Sequence, residues 1–309
     1  MRSGCIDFGF GVLALAGAIG AVGLVQAPAM SRGAVVDNFS GYSAGVPLNN
    51  NAAWANSADV WIVGLHNGVN DSPGVYWSGG GYEAAQYATA LTLPGGGQTL
   101  SDSADFNFMA STYAAQGYGV LSVGFMYTPY PSNNYLFATV AVANTASNEG
   151  LLLSVFSNTA YMGNAGWLAY KIPAAGVNSD WFNLGLSVTK TGSGNYNVAA
   201  SLSDLGGSGT TSPTLLESFS APVESAADLG ISGGSGFYAG FKYENAANEQ
   251  LQGLNVDNFS LSQPATSLPE PPEGMVAMVG FSLAALVLRR RSASSRFCRR
   301  LKNELWTNH

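Results

Sequence analysis

Residues 181–204 read WFNLGLSVTKTGSGNYNVAASLSD, and this stretch decides the fold class. Apolar residues alternate with polar or small ones in Trp181–Thr189 and again in Tyr196–Leu202, which is the pattern of strands with one buried face. The six residues between them, Lys190–Asn195, contain two glycines placed for the positive φ of a tight turn. The stretch therefore predicts an antiparallel β-hairpin.

Similar short runs of aliphatic and aromatic residues recur from Val35 to Leu261, separated by Gly, Asn, Ser and Asp. No window outside the two terminal apolar runs shows a sustained helical spacing. Strands of this length and spacing predict an all-β fold, a single antiparallel β-sandwich of two sheets rather than several domains. The predicted strands are Val35–Tyr42, Val60–Gly64, Gly74–Trp77, Tyr87–Leu93, Ala104–Ala110, Gly119–Tyr127, Tyr135–Ala143, Gly150–Ser157, Gly166–Ile172, Trp181–Thr189, Tyr196–Leu202, Thr214–Ser220, Gly236–Tyr243 and Leu251–Leu261.

The tetrad Asp-Asn-Phe-Ser occurs twice, at residues 37–40 and at residues 257–260. Two copies of four residues are too few to define a repeat protein. We interpret them as parts of the first and last strands of the sandwich, lying side by side. This arrangement would bring the two ends of the domain together.

Charge is scarce in this chain and one-sided. Of its 309 residues 47% are hydrophobic and only 10% are charged. Between Ala34 and Leu268 there are three lysines, no arginine and 15 Asp and Glu residues, a net charge of −12. A domain this acidic argues against nucleic acid as a partner. Both cysteines, Cys5 and Cys298, lie in terminal segments, so the domain must be held by its core alone.

The first 29 residues have the features of a secretory signal peptide with an apolar helix. Arg2 precedes the apolar run Phe8–Val25, and Ala27-Pro28-Ala29 supplies a small-x-small cleavage pattern. An uncleaved anchor helix is the alternative, because the run is long for a signal peptide. Cleavage near Ala29 is favoured by the frequent glycines and by the position of this pattern. Both interpretations predict export.

The C-terminal end begins with a linker, residues 263–273, in which Pro269-Glu270-Pro271 favours an extended backbone. Residues 274–288 carry no charge, and a helix from Pro272 to Leu288 would be roughly 25 Å long, slightly short of a ~30 Å hydrocarbon core. Arg289-Arg290-Arg291 would hold the following end in the cytoplasm. We predict a transmembrane helix rather than a buried one, because the run is apolar on every face.

This order of Pro-Glu-Pro, short apolar span and arginine cluster resembles the PEP-CTERM sorting signal of bacterial envelope proteins. The resemblance covers Leu268–Arg291. It implies an exported protein that is anchored in the inner membrane, exposes its domain to the periplasm or exterior, and is processed by the membrane protease-transpeptidase exosortase. Release to the cell surface after processing is left open. The basic tail, residues 289–309, runs further past the arginines than is usual in that family.

The sandwich itself resembles the laminin-G/concanavalin-like jelly rolls. Its opening, DNFSGYSAGVPL at residues 37–48 followed by Trp54, is similar to the start of many such exported domains. The hairpin of residues 181–204 and the closing LNVDNFSL of residues 254–261 are similar to the same class. The resemblance covers about Val35 to Leu261 and implies a fold rather than a function.

No catalytic constellation is evident in the sequence. His66 is the only histidine outside the terminal segments, so neither a Ser-His-Asp triad nor a His-rich metal site can be built. Concanavalin-like glycoside hydrolases place alternating acids on one strand, and no such run is present. The Gly, Ser and Asn neighbours of the nearest acidic pairs predict solvated turns, and we predict no enzymatic activity and no catalytic residue. Those pairs are Asp102 with Asp105, Glu217 with Glu224, and Glu244 with Glu249.

One loop leaves the possibility of calcium binding open. Asn70 and Asp71, in Asn67–Ser72, together with the preceding Asp59, offer the oxygen atoms that Ca²⁺ prefers. No fixed ligand spacing is present, so solubility is the favoured explanation of these acids. No other cofactor is predicted.

Aromatic residues either fill the core of a sandwich or stack on sugar rings. Trp61 and Trp181 lie within predicted strands, which assigns them to the core. Trp77 and Tyr130 each adjoin a Gly- or Pro-rich turn. We predict that these two reach solvent, where they would contact a glycan.

Together these features predict a non-catalytic, envelope-anchored domain that associates with extracellular polysaccharide. The expected partners are exosortase, the membrane and polysaccharide, and not nucleic acid. A divergent glycan hydrolase of the same fold and a purely structural envelope protein without a ligand are the alternatives. The missing strand of alternating carboxylates argues against the hydrolase.

Overall fold

The computed structural model of the protein describes residues 35–55, 61–78, 84–110, 118–127, 134–144, 149–158, 161–192, 194–210, 212–223, 225–231, 236–243 and 251–263. All of them belong to one compact unit, Met1–Gln263. Its strands are β1 (Val35–Asp37), β2 (Trp54–Ala55), β3 (Trp61–Gly64), β4 (Gly74–Trp77), β5 (Ala84–Leu91), β6 (Thr99–Ala110), β7 (Tyr118–Met126), β8 (Tyr135–Asn144), β9 (Glu149–Ser157), β10 (Tyr161–Ala169), β11 (Trp181–Lys190), β12 (Tyr196–Gly206), β13 (Thr214–Val223), β14 (Phe237–Tyr243) and β15 (Leu251–Ser262). Two 3-10 turns occupy Leu48–Asn50 and Val69–Asp71.

These strands form two sheets in which the described pairings are antiparallel. The eight-stranded sheet has the order β13-β12-β11-β6-β15-β4-β3, with β1 beside β15. The seven-stranded sheet has the order β10-β9-β8-β7-β14-β5-β2. The predicted all-β sandwich of two antiparallel sheets is confirmed.

Alternation builds the core between the two sheets. In β11 the side chains of Phe182, Leu184, Leu186 and Val188 are completely buried against the other sheet. The predicted hairpin is confirmed, since β11 and β12 pair from Lys190 opposite Tyr196 onward. Of the two glycines predicted to take positive φ, Gly194 does so at +88° and Gly192 does not.

Most predicted strands are present, and the differences have local causes. β4 has the predicted bounds, whereas β1 ends at Asp37 rather than Tyr42 because Phe39 turns the chain with φ +56°. β2 was not predicted, since two residues are too few to show alternation. β10 begins at Tyr161, not at Gly166, and its burial does not alternate.

The first and last strands lie side by side, as the repeated tetrad predicted. Val35 of β1 pairs with Ser260 of β15, and Asp37 pairs with Phe259. The phenyl rings of the two tetrads, Phe39 and Phe259, are both completely buried. The first strand of the sandwich, which begins at Val35, therefore lies next to its last strand.

Asp37 joins the two sheets at this edge. One carboxylate oxygen accepts from the Trp54 indole Nε1 at 2.7 Å and from the Tyr42 hydroxyl, and the other accepts from the Phe39 amide at 2.8 Å. Trp54 lies in β2 of the seven-stranded sheet and packs edge-on against Phe259 with ring centroids 5.0 Å apart. Burial and the neighbouring Asp37 carboxylate raise the pKa of Tyr42 above its ordinary value. We call Asp37, Tyr42 and Trp54 the edge clamp.

A second carboxyl group forms a hydrogen bond between the two sheets. Asp102 of β6 is completely buried, and its Oδ2 accepts from the Gly240 amide of the opposite sheet at 3.2 Å. The amide of Gly124 in β7, opposite Gly240, also bonds to this carboxyl group. Burial raises the pKa of Asp102 well above its ordinary value, and the amides of Gly240, Gly124 and Ser103 offset this only in part.

The outward face of β6 and β15 carries a buried polar network. Asp105 accepts from the side-chain amides of Asn183 at 2.8 Å and Asn258 at 2.9 Å. Asp257 accepts from the Val69 amide at 2.9 Å and from the Ser72 hydroxyl at 3.2 Å, which ties the loop between β3 and β4 onto the sheet.

The prediction that Asp102 and Asp105 mark a solvated turn is therefore wrong. Both lie within the 12-residue strand β6, and both are buried. Glu217 likewise lies in β13, opposite Leu202, and not in a turn. Glu224, Glu244 and Glu249 lie outside the described residues. The serine and asparagine neighbours of these acids predicted a solvated turn. In the structure such neighbours, Ser103 and Asn107, lie on the outward face of β6 and are themselves buried.

Stability should fall as the pH rises from about 4 to 6. Burial, together with the charge of Asp105, raises the pKa of Asp257 to about 6, and burial raises that of Asp102 as well. In this range the unfolded chain has lost protons that the folded protein keeps, so folding weakens by about 1.4 kcal/mol per pH unit for each such group. Urea unfolding of wild type and Asp102→Asn at half-unit pH intervals measures this, and the variant should show a shallower slope. Stability that rises across this range in the wild type would contradict the assignment.

The predicted terminal elements lie outside the described residues. These are the signal peptide of residues 1–29, the linker with Pro269-Glu270-Pro271, the anchor of residues 274–288 and the tail that begins at Arg289. Within the described residues, no helix has the length and apolar character needed to cross a membrane. Export, anchoring and sorting stay predictions of the sequence.

Candidate functional site

The outer face of the seven-stranded sheet brings aromatic side chains together across adjacent strands. Phe137 of β8 lies opposite Phe156 of β9, and Phe156 lies opposite Tyr161 of β10. The Phe156 and Tyr161 ring centroids are 5.1 Å apart, and Tyr135 stacks on Phe137 with centroids 5.3 Å apart. We call Tyr135, Phe137, Phe156, Tyr161 and Trp167 the aromatic face.

Two further rows of residues accompany the aromatic one. Thr139, Ser154 and Asn164 lie opposite one another on β8, β9 and β10, and Ala141, Leu152 and Trp167 form the next row. The polar row therefore lies between Tyr161 and Trp167. Successive residues on one face of a strand are about 6.6 Å apart, so rings and hydrogen-bonding groups alternate along the strands on a single surface.

This surface is open at one end and closed at the other. Phe137 is 1% exposed, whereas Trp167 is 42% and Tyr161 is 52% exposed. The closed end is occupied by the ammonium group of Lys242, whose Nζ lies 4.7 Å from the Phe137 ring centroid and 5.4 Å from that of Tyr135. A ligand from solvent would therefore meet the β9–β10 side.

Two irregularities in β10 place its outward residues three positions apart. The pairing register between β10 and β9 shifts between Tyr161 and Gly163 and again between Asn164 and Trp167. Gly163 has φ +141° and lies so close to the Phe219 ring that a Cβ there would be 2.7 Å from it. Because of these bulges, Tyr161, Asn164 and Trp167 share the outer face instead of alternating.

Asn164 fixes the geometry of the exposed end. Its Oδ1 accepts from the Gly166 amide at 2.9 Å, and its Nδ2 donates to the Tyr161 hydroxyl. The side chain that separates the two exposed rings is thus held by its own strand. Tyr161 is oriented by this contact and by Phe156 beneath it.

The chemistry available here is stacking together with neutral hydrogen bonding. Single exposed apolar residues are ordinary on protein surfaces, but Tyr161 and Trp167 are two large aromatics on one face of one strand. Flat rings flanked by amide and hydroxyl groups suit a ligand that has both apolar faces and hydroxyl edges. The seven-stranded sheet has one carboxylate in its described strands, Glu149 of β9, and its Oε1 accepts from the Ile172 amide at 3.2 Å.

Trp77, predicted to contact a glycan, lies elsewhere. It is only partly exposed, packs against the core and places its ring centroid 4.1 Å from that of Tyr243. Its cross-strand partner is Trp61, which is completely buried, as predicted. Tyr130 lies outside the described residues, and contact of either residue with a glycan stays a prediction. Trp181 is buried too, close to where a Cβ on Gly209 would lie.

The possible calcium ligands are described only in part. Asp59 lies outside the described residues, and both Asn70 and Asp71 take positive φ in an exposed turn. The Asp71 carboxylate lies 3.2 Å from Nδ1 of His66. Across the described part of the chain, no group of three or more His, Cys, Asp and Glu side chains is arranged to hold a metal ion.

Sequence reasoning missed Phe156, Tyr161 and Trp167. β10 reads YMGNAGWLA, in which the apolar residues do not alternate. The pattern therefore does not show which side chains lie on the outer face of the strand. The available signal was glycine next to aromatic residues within a strand, because such glycines mark bulges.

Comparison with known proteins found similarity among solved structures only. No protein-family model matches the sequence, and no curated protein matches it. Lectin II from Ulex europaeus has 11% identity and a TM-score of 0.44, covering 72% of this chain and 96% of the lectin. The alginate lyase from Aplysia kurodai has 8% identity and a TM-score of 0.41, covering 72% of this chain and 97% of the lyase. A beta-glucanase catalytic domain from Podospora anserina has 11% identity and a TM-score of 0.37, covering 74% and 94%.

At these identities none of the similar structures assigns an activity to this chain. The two-sheet sandwich rests on the strand pairing of the chain itself, and the candidate site rests on the side chains of the aromatic face.

Proposed function

We propose that the chain is a non-catalytic, glycan-binding jelly roll of the concanavalin-like type. The observation that carries this proposal is the exposure of Tyr161 and Trp167 on one face, with the hydrogen-bonding side chain of Asn164 between them. Aromatic rings stack on the apolar faces of sugars, and the amide would bond to their hydroxyl groups.

The distribution of carboxylates supports binding rather than hydrolysis. A glycosidase needs two acids roughly 5–9.5 Å apart on the same groove. Asp102 and Asp105 point to opposite faces of β6. Asp105 and Asp257 share a face, but both are buried and accept hydrogen bonds from side-chain and backbone donors. Glu149 has no second acid in the described strands of its sheet.

The sequence supports a cellular location for this binding. We propose that the protein is exported and held at the bacterial envelope by its C-terminal segment, with Pro269-Glu270-Pro271 as the sorting element. Polysaccharide outside the cell is then the ligand that an exported aromatic face would meet.

Truncating either exposed ring should weaken glycan binding. Trp167→Ala and Tyr161→Ala each remove a stacking surface, and we expect at least a tenfold loss of affinity, about 1.4 kcal/mol or more. Affinity electrophoresis of the purified full-length protein in gels containing polysaccharide measures this. Because both side chains are about half exposed, the variants should unfold like the wild type in urea.

The matched control is Leu215→Ala. Leu215 is 43% exposed but lies on β13 of the other sheet, so its removal should leave binding unchanged. Equal retardation of the wild type and both aromatic variants would refute the aromatic face as the site. Release of reducing sugar by the wild type would favour the hydrolase instead.

A further inference from the structure

The two exposed rings lie too far apart for one sugar. On β9 the partners of Tyr161 and Trp167 are Phe156 and Leu152, four residues apart on the straighter strand. At about 3.3 Å per residue, this places the Cα atoms of Tyr161 and Trp167 roughly 13 Å from each other along β10. A ligand that stacks on both must therefore extend over several sugar rings.

The surface between the rings is uncharged. β8, β9 and β10 contain no lysine or arginine, and Asn164 is the exposed polar side chain between the two aromatics. A chain that lies along β10 would meet an amide at its middle and a ring on each side of it. Such a row makes hydrogen bonds to hydroxyl groups without providing a counter-charge.

None of the three lysines of the domain lies between Tyr161 and Trp167. Lys242 is 7% exposed above Phe137, and Nζ of Lys190 lies over the Tyr196 ring of the other sheet. Lys171, just beyond the end of β10, adjoins Ile172, whose amide is bonded by the Glu149 carboxylate. With a net charge of −12 between residues 34 and 268, the domain repels polyanions.

We propose that the aromatic face binds an uncharged polysaccharide as an extended chain along β10, with Tyr161 and Trp167 at separate sugar positions and Asn164 between them. This inference rests on the proposed glycan-binding function. It assigns the class of ligand: neutral polymers of several sugar units, not monosaccharides and not uronic acid polymers.

Two ligand series test this with the full-length protein. Oligosaccharides of two to six units are prepared from an uncharged β-glucan and from polygalacturonate, and their affinities are measured by calorimetry at 50 and 500 mM NaCl. We expect at least a tenfold gain from two to five units of the neutral series, little dependence on salt, and no binding of the uronate series. Tyr161→Ala should remove the gain with length, because only one ring then remains, while Leu215→Ala should keep it.

Several results would overturn the inference. Tighter binding of the uronate series, or equal affinity for two and five units, would overturn the ligand class while leaving glycan binding intact. If a panel of neutral and acidic polysaccharides all failed to bind, the proposed function would fall with it. A dimer that Trp167→Ala converts to a monomer would show that a second copy of the chain occupies the aromatic face.

Discussion

Gly124→Ala should destabilise the sandwich by about 3–5 kcal/mol, because both the backbone and the space at this position require glycine. Its φ of +150° is one that L-residues rarely adopt. A Cβ there would lie 2.2 Å from the Leu136 carbonyl oxygen and 2.8 Å from Cδ2 of Leu186. The first neighbour is backbone of the adjacent strand and cannot move without breaking the pairing of β7 with β8.

Thermal unfolding measures this effect, and a loss of this size should lower Tm by roughly 10 °C for a domain of this length. Gly96→Ala is the control, since a Cβ there meets nothing within 4 Å and its φ is not positive. If the two variants melted together with the wild type, the close approach of β7 and β8 at Gly124 would be wrong.

Asp37→Ala should lower the free energy of unfolding by about 2–4 kcal/mol, because it opens the edge clamp. The Trp54 indole, the Tyr42 hydroxyl and the Phe39 amide would each lose a charged acceptor, and a hydrogen bond to a charged group contributes about 1.5–3 kcal/mol where it is buried. We expect Asp37→Asn to lose less, since its carbonyl oxygen still accepts. Urea unfolding at pH 7 gives the three values.

Asp71→Asn is the matched control for the clamp. The Asp71 side chain is 77% exposed and contacts His66, and Asn tolerates the positive φ of this position, so the change should stay within about 0.5 kcal/mol. A loss for Asp37→Ala no greater than that of the control would show that Asp37 does not join the sheets.

Local alternation and repetition were enough to predict the framework. The β11–β12 hairpin alternates over its whole length, and the repeated tetrad placed β1 beside β15. The hydrogen bonds of Asp37 explain why the opening motif has its Asp, Tyr and Trp, since these three side chains form the edge clamp. Such features are readable because each depends on residues close in sequence or alike in sequence.

Long-range packing explains what the sequence did not show. Asp102 has an inward position in β6, and its buried carboxyl group is held there by the amides of Gly240 and Gly124 in the opposite sheet. The aromatic face depends on register across β8, β9 and β10, including two bulges. No single segment contains that register, and glycine beside aromatic residues in β10 was the one local signal for Tyr161 and Trp167.

The most direct test of the glycan-binding surface is to observe its tryptophan during binding. In protein labelled with ¹⁵N-tryptophan, the indole signal that disappears in Trp167→Phe identifies Trp167 among the six tryptophans. On titration with a neutral oligosaccharide of five units, that signal should move while those of the buried Trp54 and Trp61 stay in place. Movement of the Trp77 signal with Trp167 unchanged would contradict the aromatic face as the binding surface.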